Sequence, residues 1–454
     1  MQRRWKYPVV ILVALIMMTG QNEVLAQGSN VEIPQQLMDM SVQALMEQGN
    51  SLYEQQDYAA ARPYYLAVVE KDSAQAGAYS RLSEVEYNLF DLTQAQKYLR
   101  KAIEIEPGNE EYRVRFNNLS QLVQTFQDGV DALRSQNLDE SIKKFNAVLN
   151  TFPNFAPAFY HKALIYKVQD STEKVIENFE TAIEHEPSNE KYISALENYA
   201  KEHFQNGVNA YRRGNLTGAE EGFRTALQIN PGFVQAYYML GIIARRRGNV
   251  QEAINRYKAA IEINEDYAQA WLALGIANKS ITRDQEALEA FSKAAEINPN
   301  YDKAFVEKGK ILLKLDRLSE AEQALRKATQ VNAQNANAYE ALGLVYMKMG
   351  KYQEAIQQFS SSLAFDANSF NIHYRMADAY HELGEYQKQR ESAEKALELK
   401  PNYAPALVML GEAHCHLGNV DSAISAWEKA KSDAQWRPMA EHKIEVIERA
   451  GECD

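Results

Sequence analysis

Cysteine is almost missing from this sequence, which has two, Cys415 and Cys453, among 454 residues. Exported chains that depend on disulfide bridges carry more cysteines, in even numbers and framework spacings. The sequence therefore excludes a disulfide-scaffold protein. We expect no bridge between Cys415, in a predicted helix, and Cys453, next to the C-terminus, and we expect packing to stabilise the fold.

The sequence also has fewer basic than acidic residues. Lys and Arg number 49 against 61 Asp and Glu, which gives a net charge of −12. The first 26 residues carry three basic side chains and one acidic side chain, so the chain after them has a net charge of −14. Nucleic acids and anionic membrane surfaces both select basic patches. We therefore expect no nucleic acid partner and no general adsorption to membranes.

Long apolar runs are missing except for one near the N-terminus. Residues 8–20 are uncharged, follow a basic start and precede the small residue Ala26. This order is that of a secretory signal peptide, and the run is shorter than the roughly 20 residues that span a bilayer. The sequence predicts a signal peptide over residues 1–26 and an exported protein of the periplasm or cell envelope. The alternative is an uncleaved segment that anchors the chain in the inner membrane.

Catalytic and metal-binding motifs are missing too. His381 and Glu382 begin a zinc-peptidase pattern, but its second histidine is absent, and no phosphate-binding loop or nucleophile elbow follows elsewhere. His414, Cys415 and His416 are consecutive, and successive helical side chains point about 100° apart, so they cannot hold one ion together. We expect no enzyme activity, cofactor or metal.

The sequence contains instead a recurring pair of helix patterns, of which residues 268–301 are the clearest copy. Trp271 and Leu274 lie on one predicted helix beside Gly275, and Phe291 lies on the next at helical spacing. Small residues at the crossing let two helices approach closely, and the large side chains fill the seam between them. One such hairpin cannot bury its apolar face alone and needs neighbouring copies.

The copies follow one another at a constant spacing along the sequence. A small residue occupies the same position in seven successive copies. These residues are Gly207, Gly241, Gly275, Gly309, Gly343, Ala377 and Gly411. The pattern W…LG…A…F…A…P at a period of about 34 residues resembles the tetratricopeptide repeat family. The resemblance implies an all-α, right-handed superhelical solenoid whose concave groove, lined by the first helices, binds proteins or peptides. It implies no catalysis and does not name the partner.

The whole array comprises about eleven hairpins and a C-terminal capping helix. Its period is interrupted twice, because the intervals from Ser83 to Gly129 and from Ala163 to Gly207 each exceed one period by about three helical turns. Residues 110–136 and 190–213 lack helix-breaking signals at these points, so we predict two lengthened first helices. The predicted parts are a lead-in at 27–41, an N-terminal portion at 42–199, a regular array at 200–437 and a capping helix and tail at 438–454.

Aromatic and basic residues recur at the inward positions of the regular array. The resemblance assigns these positions to the groove, and they are Tyr211, Arg212, Tyr238, Arg245, Arg246, Lys279, Lys303, Lys310, Lys314 and Lys348. Arginine forks hold carboxylates through two hydrogen bonds, so this set favours an acidic segment or a C-terminal carboxylate as ligand. The alternatives are that the cations merely suit the dipoles at helix ends and that the tyrosines pack between repeats.

Three functions remain from the sequence. The first is an exported, non-catalytic scaffold that binds protein or peptide partners in its groove. The second is a membrane-anchored subunit of an envelope assembly or secretion complex, which contacts the membrane only if the N-terminal segment is uncleaved. The third is an enzyme with an unusual site, which would need converging titratable groups that the sequence does not offer.

Overall fold

The computed structural model describes residues 33–450, and every regular element in that range is an α-helix. The predicted signal peptide, residues 1–26, and Cys453 lie outside the described residues. The helices are α1 (Gln35–Met38), α2 (Val42–Glu54), α3 (Tyr58–Lys71), α4 (Ala76–Asn88), α5 (Leu92–Ile105), α6 (Glu110–Arg134), α7 (Leu138–Thr151), α8 (Ala156–Val168), α9 (Thr172–His185), α10 (Glu190–Arg212), α11 (Leu216–Ile229), α12 (Val234–Arg246), α13 (Val250–Ile263), α14 (Ala268–Ser280), α15 (Asp284–Ile297), α16 (Asp302–Lys314), α17 (Leu318–Val331), α18 (Ala336–Lys348), α19 (Tyr352–Leu363), α20 (Phe370–Glu382), α21 (Tyr386–Leu399), α22 (Ala404–His416), α23 (Val420–Ala430) and α24 (Arg437–Ala450).

From α2 to α23 the described helices pair into eleven antiparallel hairpins, and α24 follows as a single terminal helix. Each first helix packs on its own second helix, and each second helix packs on the first helix of the next hairpin. The predicted all-α array of helical hairpins with a terminal helix is confirmed. The helices α6 and α10 are the two long ones, with 25 and 23 residues.

The chain forms two compact units that meet within the sequence of α10, at Glu202 and His203. In the first unit, α1 lies inside the predicted lead-in and α6 runs without interruption over Glu110–Arg134. In the second unit, each first helix from α12 to α22 has 13 residues. The second helices from α13 to α23 have 11 to 14 residues. The regular second unit therefore follows directly from the unbroken period of the sequence.

In eight of the eleven hairpins, a glycine of the first helix accommodates a large side chain from the second helix of the same hairpin. A Cβ atom added to Gly275 would lie 2.5 Å from Cε1 of Phe291, and one added to Gly129 would lie 2.9 Å from Cε1 of Phe145. Phe291 and Phe145 are fully buried. Glycine is required here because any side chain would occupy the space of the ring.

Each hairpin turn contains one described residue with positive φ. Five are glycines, and six are other residues, including Thr282 at φ 59° and Phe90 at φ 64°. The turn after α14 is closed by two backbone bonds, from Thr282 to the carbonyl of Lys279 and from Arg283 to the carbonyl of Asn278. This is the Schellman arrangement that usually takes glycine. The repeat geometry therefore imposes the left-handed conformation even on side chains that disfavour it.

An asparagine ends several of the second helices. Each of four such asparagines accepts a hydrogen bond on its Oδ1 from the backbone N–H two residues later, at 2.9 to 3.1 Å. They recur once per repeat, at Asn230, Asn264, Asn298 and Asn332. The side chain replaces a backbone turn acceptor, so the connection to the next hairpin is fixed at the same point in each repeat.

Aromatic rings dominate the interior of the first unit. Phe126 lies 5.2 Å from Phe155 and 5.5 Å from Phe145 between ring centroids. His161 lies among them, stacked on Phe145 at 5.4 Å and 14°. Its Nδ1 has no hydrogen-bond partner, and burial, aided by Lys191 and Arg134, lowers the pKa of His161 to about 3. The imidazole is therefore neutral and acts as a core ring.

The terminal helix α24 packs on the last hairpin as a cap. Its Ala440, Ile444 and Ile447 share an apolar cluster with Trp427 and Cys415. Cys415 is disulfide-bonded, so the expectation of an unbridged Cys415 is wrong. The sequence does not show that α24 packs on the last hairpin beside Cys415.

Replacing Gly275 tests the packing of the first helix on the second. Gly275→Leu should destabilise the second unit by roughly 1–3 kcal/mol through overpacking against Phe291. Gly77→Ala is the control, because a Cβ there would meet nothing within 4 Å. Thermal denaturation followed by circular dichroism should show a lower melting temperature for the first variant and not for the second. An unchanged curve for Gly275→Leu would refute the assigned register.

The buried His161 should make stability depend on pH. The unfolded chain takes up a proton near pH 6.5 and the folded chain only near pH 3, so unfolding becomes easier as pH falls between these values. The expected loss is at most about 1.4 kcal/mol per pH unit, and no effect is expected above pH 6.5. Urea unfolding between pH 7.5 and 4.5 should therefore show a flatter profile for His161→Leu than for the wild type. Parallel profiles would contradict a buried, neutral histidine.

Candidate partner-binding site

The predicted groove residues lie on five first helices, α10, α12, α14, α16 and α18. Arg212, Arg245, Arg246, Lys279, Lys314 and Lys348 all lie in the last turn of their helices. Cations are favoured there by the helix dipole, so position alone does not identify them as ligand-binding residues. These cations differ in whether an acidic side chain of the same chain already forms an ion pair with them.

Three of the lysines pair with acids of a neighbouring hairpin. Lys279 binds Glu307 of the next first helix. Lys314 lies 2.7 Å from Asp284 at the start of the preceding second helix. Lys348 lies 2.9 Å from Asp316 in the turn after α16. These lysines therefore link successive hairpins, and a ligand carboxylate would have to compete with an acid that is already bound.

Lys310 and Lys303 differ from this pattern. Lys310 lies 3.9 Å from Glu307, the same carboxylate that binds Lys279. Lys303 is exposed in the first turn of α16, at the opposite end of that helix from Lys314. The structure therefore gathers Lys279 and Lys310 around one acid and leaves Lys303 apart from them.

The arginines and tyrosines of α10 and α12 form a different environment. The Arg246 guanidinium lies over the Tyr211 ring, 5.6 Å from its centroid. Burial raises the pKa of Tyr257 to about 12, while the nearby Arg245 guanidinium lowers it. Burial also raises the pKa of Tyr238, again opposed by Arg245. Arg245 therefore stands beside two half-buried or buried phenols.

No carboxylate of the described chain forms an ion pair with Arg212, Arg245 or Arg246. The next residue, Arg247, shows the contrast, because it binds Glu220 of α11. Arg212, Arg245 and Arg246 are all exposed. We call the group of Tyr211, Arg212, Tyr238, Arg245 and Arg246 the arginine–tyrosine patch. It combines guanidinium groups that hold no carboxylate with apolar ring surface.

The later first helices present acids and histidines. His381 Nδ1 lies 3.9 Å from Glu412, and Lys443 of the cap lies 3.3 Å from the other oxygen of Glu412. Burial and the neighbouring Glu382 raise the pKa of Asp378. Within residues 33–450, no three His, Cys, Asp or Glu side chains are arranged to hold a metal ion.

A pocket that the sequence did not indicate lies in the first unit. Its volume is 520 Å³, and residues from α2, α4, α5, α6 and α7 line it, among them Tyr53, Glu84, Tyr87, Leu119 and Leu122. We call it the α6 pocket, because the first three turns of the long helix supply much of its lining. In the sequence, only the extra residues before Gly129 hint at this pocket. They predict a longer helix and do not show which residues that helix contacts.

None of the helices in residues 33–450 is both long enough and apolar enough to cross a membrane. The two long helices, α6 and α10, carry charged residues along their lengths.

Sequence comparison identifies the repeats independently. A family model for the tetratricopeptide repeat matches residues 46–110. A second model, described as the C-terminal domain of cilia and flagella-associated protein 70 and built from tetratricopeptide repeats, matches residues 188–448. That range is more than half of the chain. No curated protein matches the sequence significantly.

Several solved structures are similar to parts of the chain. MamA is 25% identical, with 38% of this chain and 93% of that chain covered and a TM-score of 0.36. YrrB, described as a tetratricopeptide repeat protein with an unusual peptide-binding site, is 23% identical over 42% and 97% of the two chains, with a TM-score of 0.38. Pseudomonas aeruginosa PilF is 24% identical over 46% and 97%, with a TM-score of 0.41. None of these likenesses assigns a function to this chain.

The eleven hairpins, the glycine at eight of their helix crossings and the two matching family models agree with one another. The chain belongs to the tetratricopeptide repeat family.

Proposed function

We propose that this protein is an exported, non-catalytic scaffold that binds acidic or C-terminal carboxylate segments of partner proteins through the arginine–tyrosine patch. Proteins of the tetratricopeptide repeat family are typically protein-interaction scaffolds. The observation that carries the proposal is the presence of three exposed arginines without a carboxylate partner in the described chain, beside two tyrosines.

The chemistry of the patch favours a carboxylate ligand. A guanidinium presents paired donors that match the two oxygens of a carboxylate. The rings of Tyr211 and Tyr238 lie next to Arg246 and Arg245 and provide apolar surface for the side chains that flank the acid. An extended segment held in this way gains specificity from charge and contact area from the rings.

The lysines have a secondary role in this proposal. Lys279, Lys310, Lys314 and Lys348 each lie within ion-pair distance of an acid of their own chain, and Lys303 stands apart from them. A ligand that extends along the first helices exchanges one carboxylate for another at these positions and gains little net energy. Binding energy therefore concentrates on Arg212, Arg245 and Arg246.

The proposal places the protein in the periplasm or cell envelope, with the N-terminal portion at 42–199 and the regular array at 200–437 as separate binding parts. The basic and apolar start of the sequence supports export. The anchored alternative is distinguished by N-terminal sequencing of the native protein. An N-terminus at Gln27 indicates cleavage, and one at Met1 indicates an anchor.

Charge reversal in the arginine–tyrosine patch should weaken carboxylate binding. The probe is a hexaglutamate peptide, prepared with a free and with an amidated C-terminus, and hexaglutamine is its neutral counterpart. We expect the double variant Arg245→Glu/Arg246→Glu to weaken hexaglutamate binding at least tenfold, because each lost charge-assisted bond contributes about 1.5–3 kcal/mol. Isothermal titration with the chain lacking residues 1–26 measures the affinity.

The matched control is Arg224→Glu/Lys293→Glu, which changes the net charge by the same amount as the double variant. Lys293 is exposed on the second helix α15 and pairs with Glu296. Arg224 lies on the second helix α11, is exposed and pairs with Glu220, so its reversal changes the net charge without touching the patch. Affinity within twofold of the wild type is expected for this control. Equal losses in both variants would show that only net charge matters, and unchanged affinity of the double variant would refute the site.

A further inference from the structure

The long helix α6 adds three turns before its ordinary repeat portion, and these turns dock on the preceding hairpin. Arg115 binds Glu84 at 2.7 Å and Ser80 at 3.0 Å, both on α4. The side-chain amide of Gln96, on α5, donates a hydrogen bond to the Ser120 hydroxyl at 2.8 Å. The extension is therefore held in place by specific contacts, and it forms one wall of the α6 pocket.

The pocket has an apolar floor and a polar rim. Leu99, Leu119 and Leu122 are buried at its base. Asn88 and Asn118 lie at its lining, and Asn118 is exposed. The volume of 520 Å³ lies within the range of about 300–1,000 Å³ that small-ligand pockets occupy. An apolar side chain with a short stretch of backbone fits such a space.

The walls of the pocket are fixed by contacts made outside it. Tyr87 stacks on Phe152 with centroids 4.3 Å apart and an angle of 7°. The Arg81 guanidinium lies over the Tyr53 ring at 4.8 Å. These side chains therefore do not fold inward to fill the space. A pocket that is already formed binds a ligand without the entropic cost of ordering its walls.

The charges at the pocket compensate one another. One oxygen of Glu84 lies 2.8 Å from Arg81, and its other oxygen lies 2.7 Å from Arg115. Glu111 adds one exposed carboxylate, 3.9 Å from Arg115. The pocket thus offers no free ionic partner to a charged ligand, whereas its three leucines and two tyrosines favour an apolar one.

We propose that the α6 pocket is a second binding site, which takes a phenylalanine or leucine side chain from an uncharged peptide segment of a partner. The apolar side chain contacts Leu99, Leu119 and Leu122, and the amides of Asn88 and Asn118 bind the backbone of the segment. This site goes beyond the carboxylate-binding patch, because it lies in the other unit and selects the opposite ligand chemistry.

The experiment uses four probes of similar size, N-acetyl-phenylalaninamide, N-acetyl-leucinamide, and the corresponding amides of N-acetyl-glutamate and N-acetyl-lysine. Ligand-observed NMR with the full chain after residue 26 measures binding. We expect saturable binding of the two apolar probes with a dissociation constant of about 1 mM or tighter, the range of efficient fragments of this size. The two charged probes should bind at least tenfold more weakly.

Two neighbouring asparagines provide a matched pair of variants. Asn118→Trp should fill the rim of the pocket and weaken binding of the apolar probes at least tenfold. Asn117→Trp, on the adjacent exposed residue that does not line the pocket, should leave binding within twofold. Melting curves of both variants show whether the helix remains folded.

Three results would overturn the proposal. They are equal binding of apolar and charged probes, equal effects of the two tryptophan variants, and the absence of saturation by either apolar probe at 10 mM, ten times the expected constant of about 1 mM. The double variant Arg245→Glu/Arg246→Glu should bind the apolar probes like the wild type. This measurement tests the α6 pocket independently of the proposal that the arginine–tyrosine patch binds carboxylates.

Discussion

The close approach of one helix to another at a glycine is the interaction on which the rest of this structure depends. In eight of the eleven hairpins the first helix offers backbone instead of a side chain at its crossing point, and a ring or leucine from the second helix occupies the space. Stacking then buries the remaining apolar surface between hairpins, as in other repeat architectures. The repeat period of the sequence reflects this contact, because the small residue and the large side chain recur together in successive hairpins.

Hairpin closure also determines which residues remain available for partners. The glycine and its ring occupy one side of the first helix, whereas the basic side chains of its last turn are exposed or partly exposed. In α14, α16 and α18 these side chains are lysines that bind acids of adjacent hairpins. In α10 and α12 they are arginines beside tyrosines, without such acids. The basic residues in the last turn of the first helices therefore link neighbouring hairpins in one part of the array. In our proposal, those in another part bind the partner.

The fold was predictable because its signals are local and repeated. Gly214 and Gly248 mark helix ends, and the spacing of Gly275 and Phe291 defines one crossing that recurs. The left-handed turn at Thr282 was not predictable from residue type, since the repeat geometry overrides the preference of a β-branched side chain. Local sequence patterns therefore predict the arrangement of the helices. They do not predict the backbone conformation of every turn residue.

Features that join distant residues were not accessible from the sequence. Lys279 and Glu307 are 28 residues apart, and nothing in either segment shows that the two side chains meet. The α6 pocket needs five helices at once, so the lengthening of one helix could not reveal its lining. The contact of Ile444 and Ile447 with the cluster around Cys415 depends on the packing of α24 on the last hairpin. Tertiary packing decides each of these cases.

A double-mutant cycle at Gly343 and Phe359 tests the central contact most directly. A Cβ on residue 343 would collide with the Phe359 ring, so Gly343→Ala should be destabilising alone and much less so when Phe359 is replaced by the smaller alanine. The quantity to measure is the free energy of unfolding in urea for the wild type, both single variants and the double variant. We expect a coupling energy of about 1 kcal/mol or more between the two sites. Additive effects would contradict the account, because they would show that the glycine is not there to admit the ring.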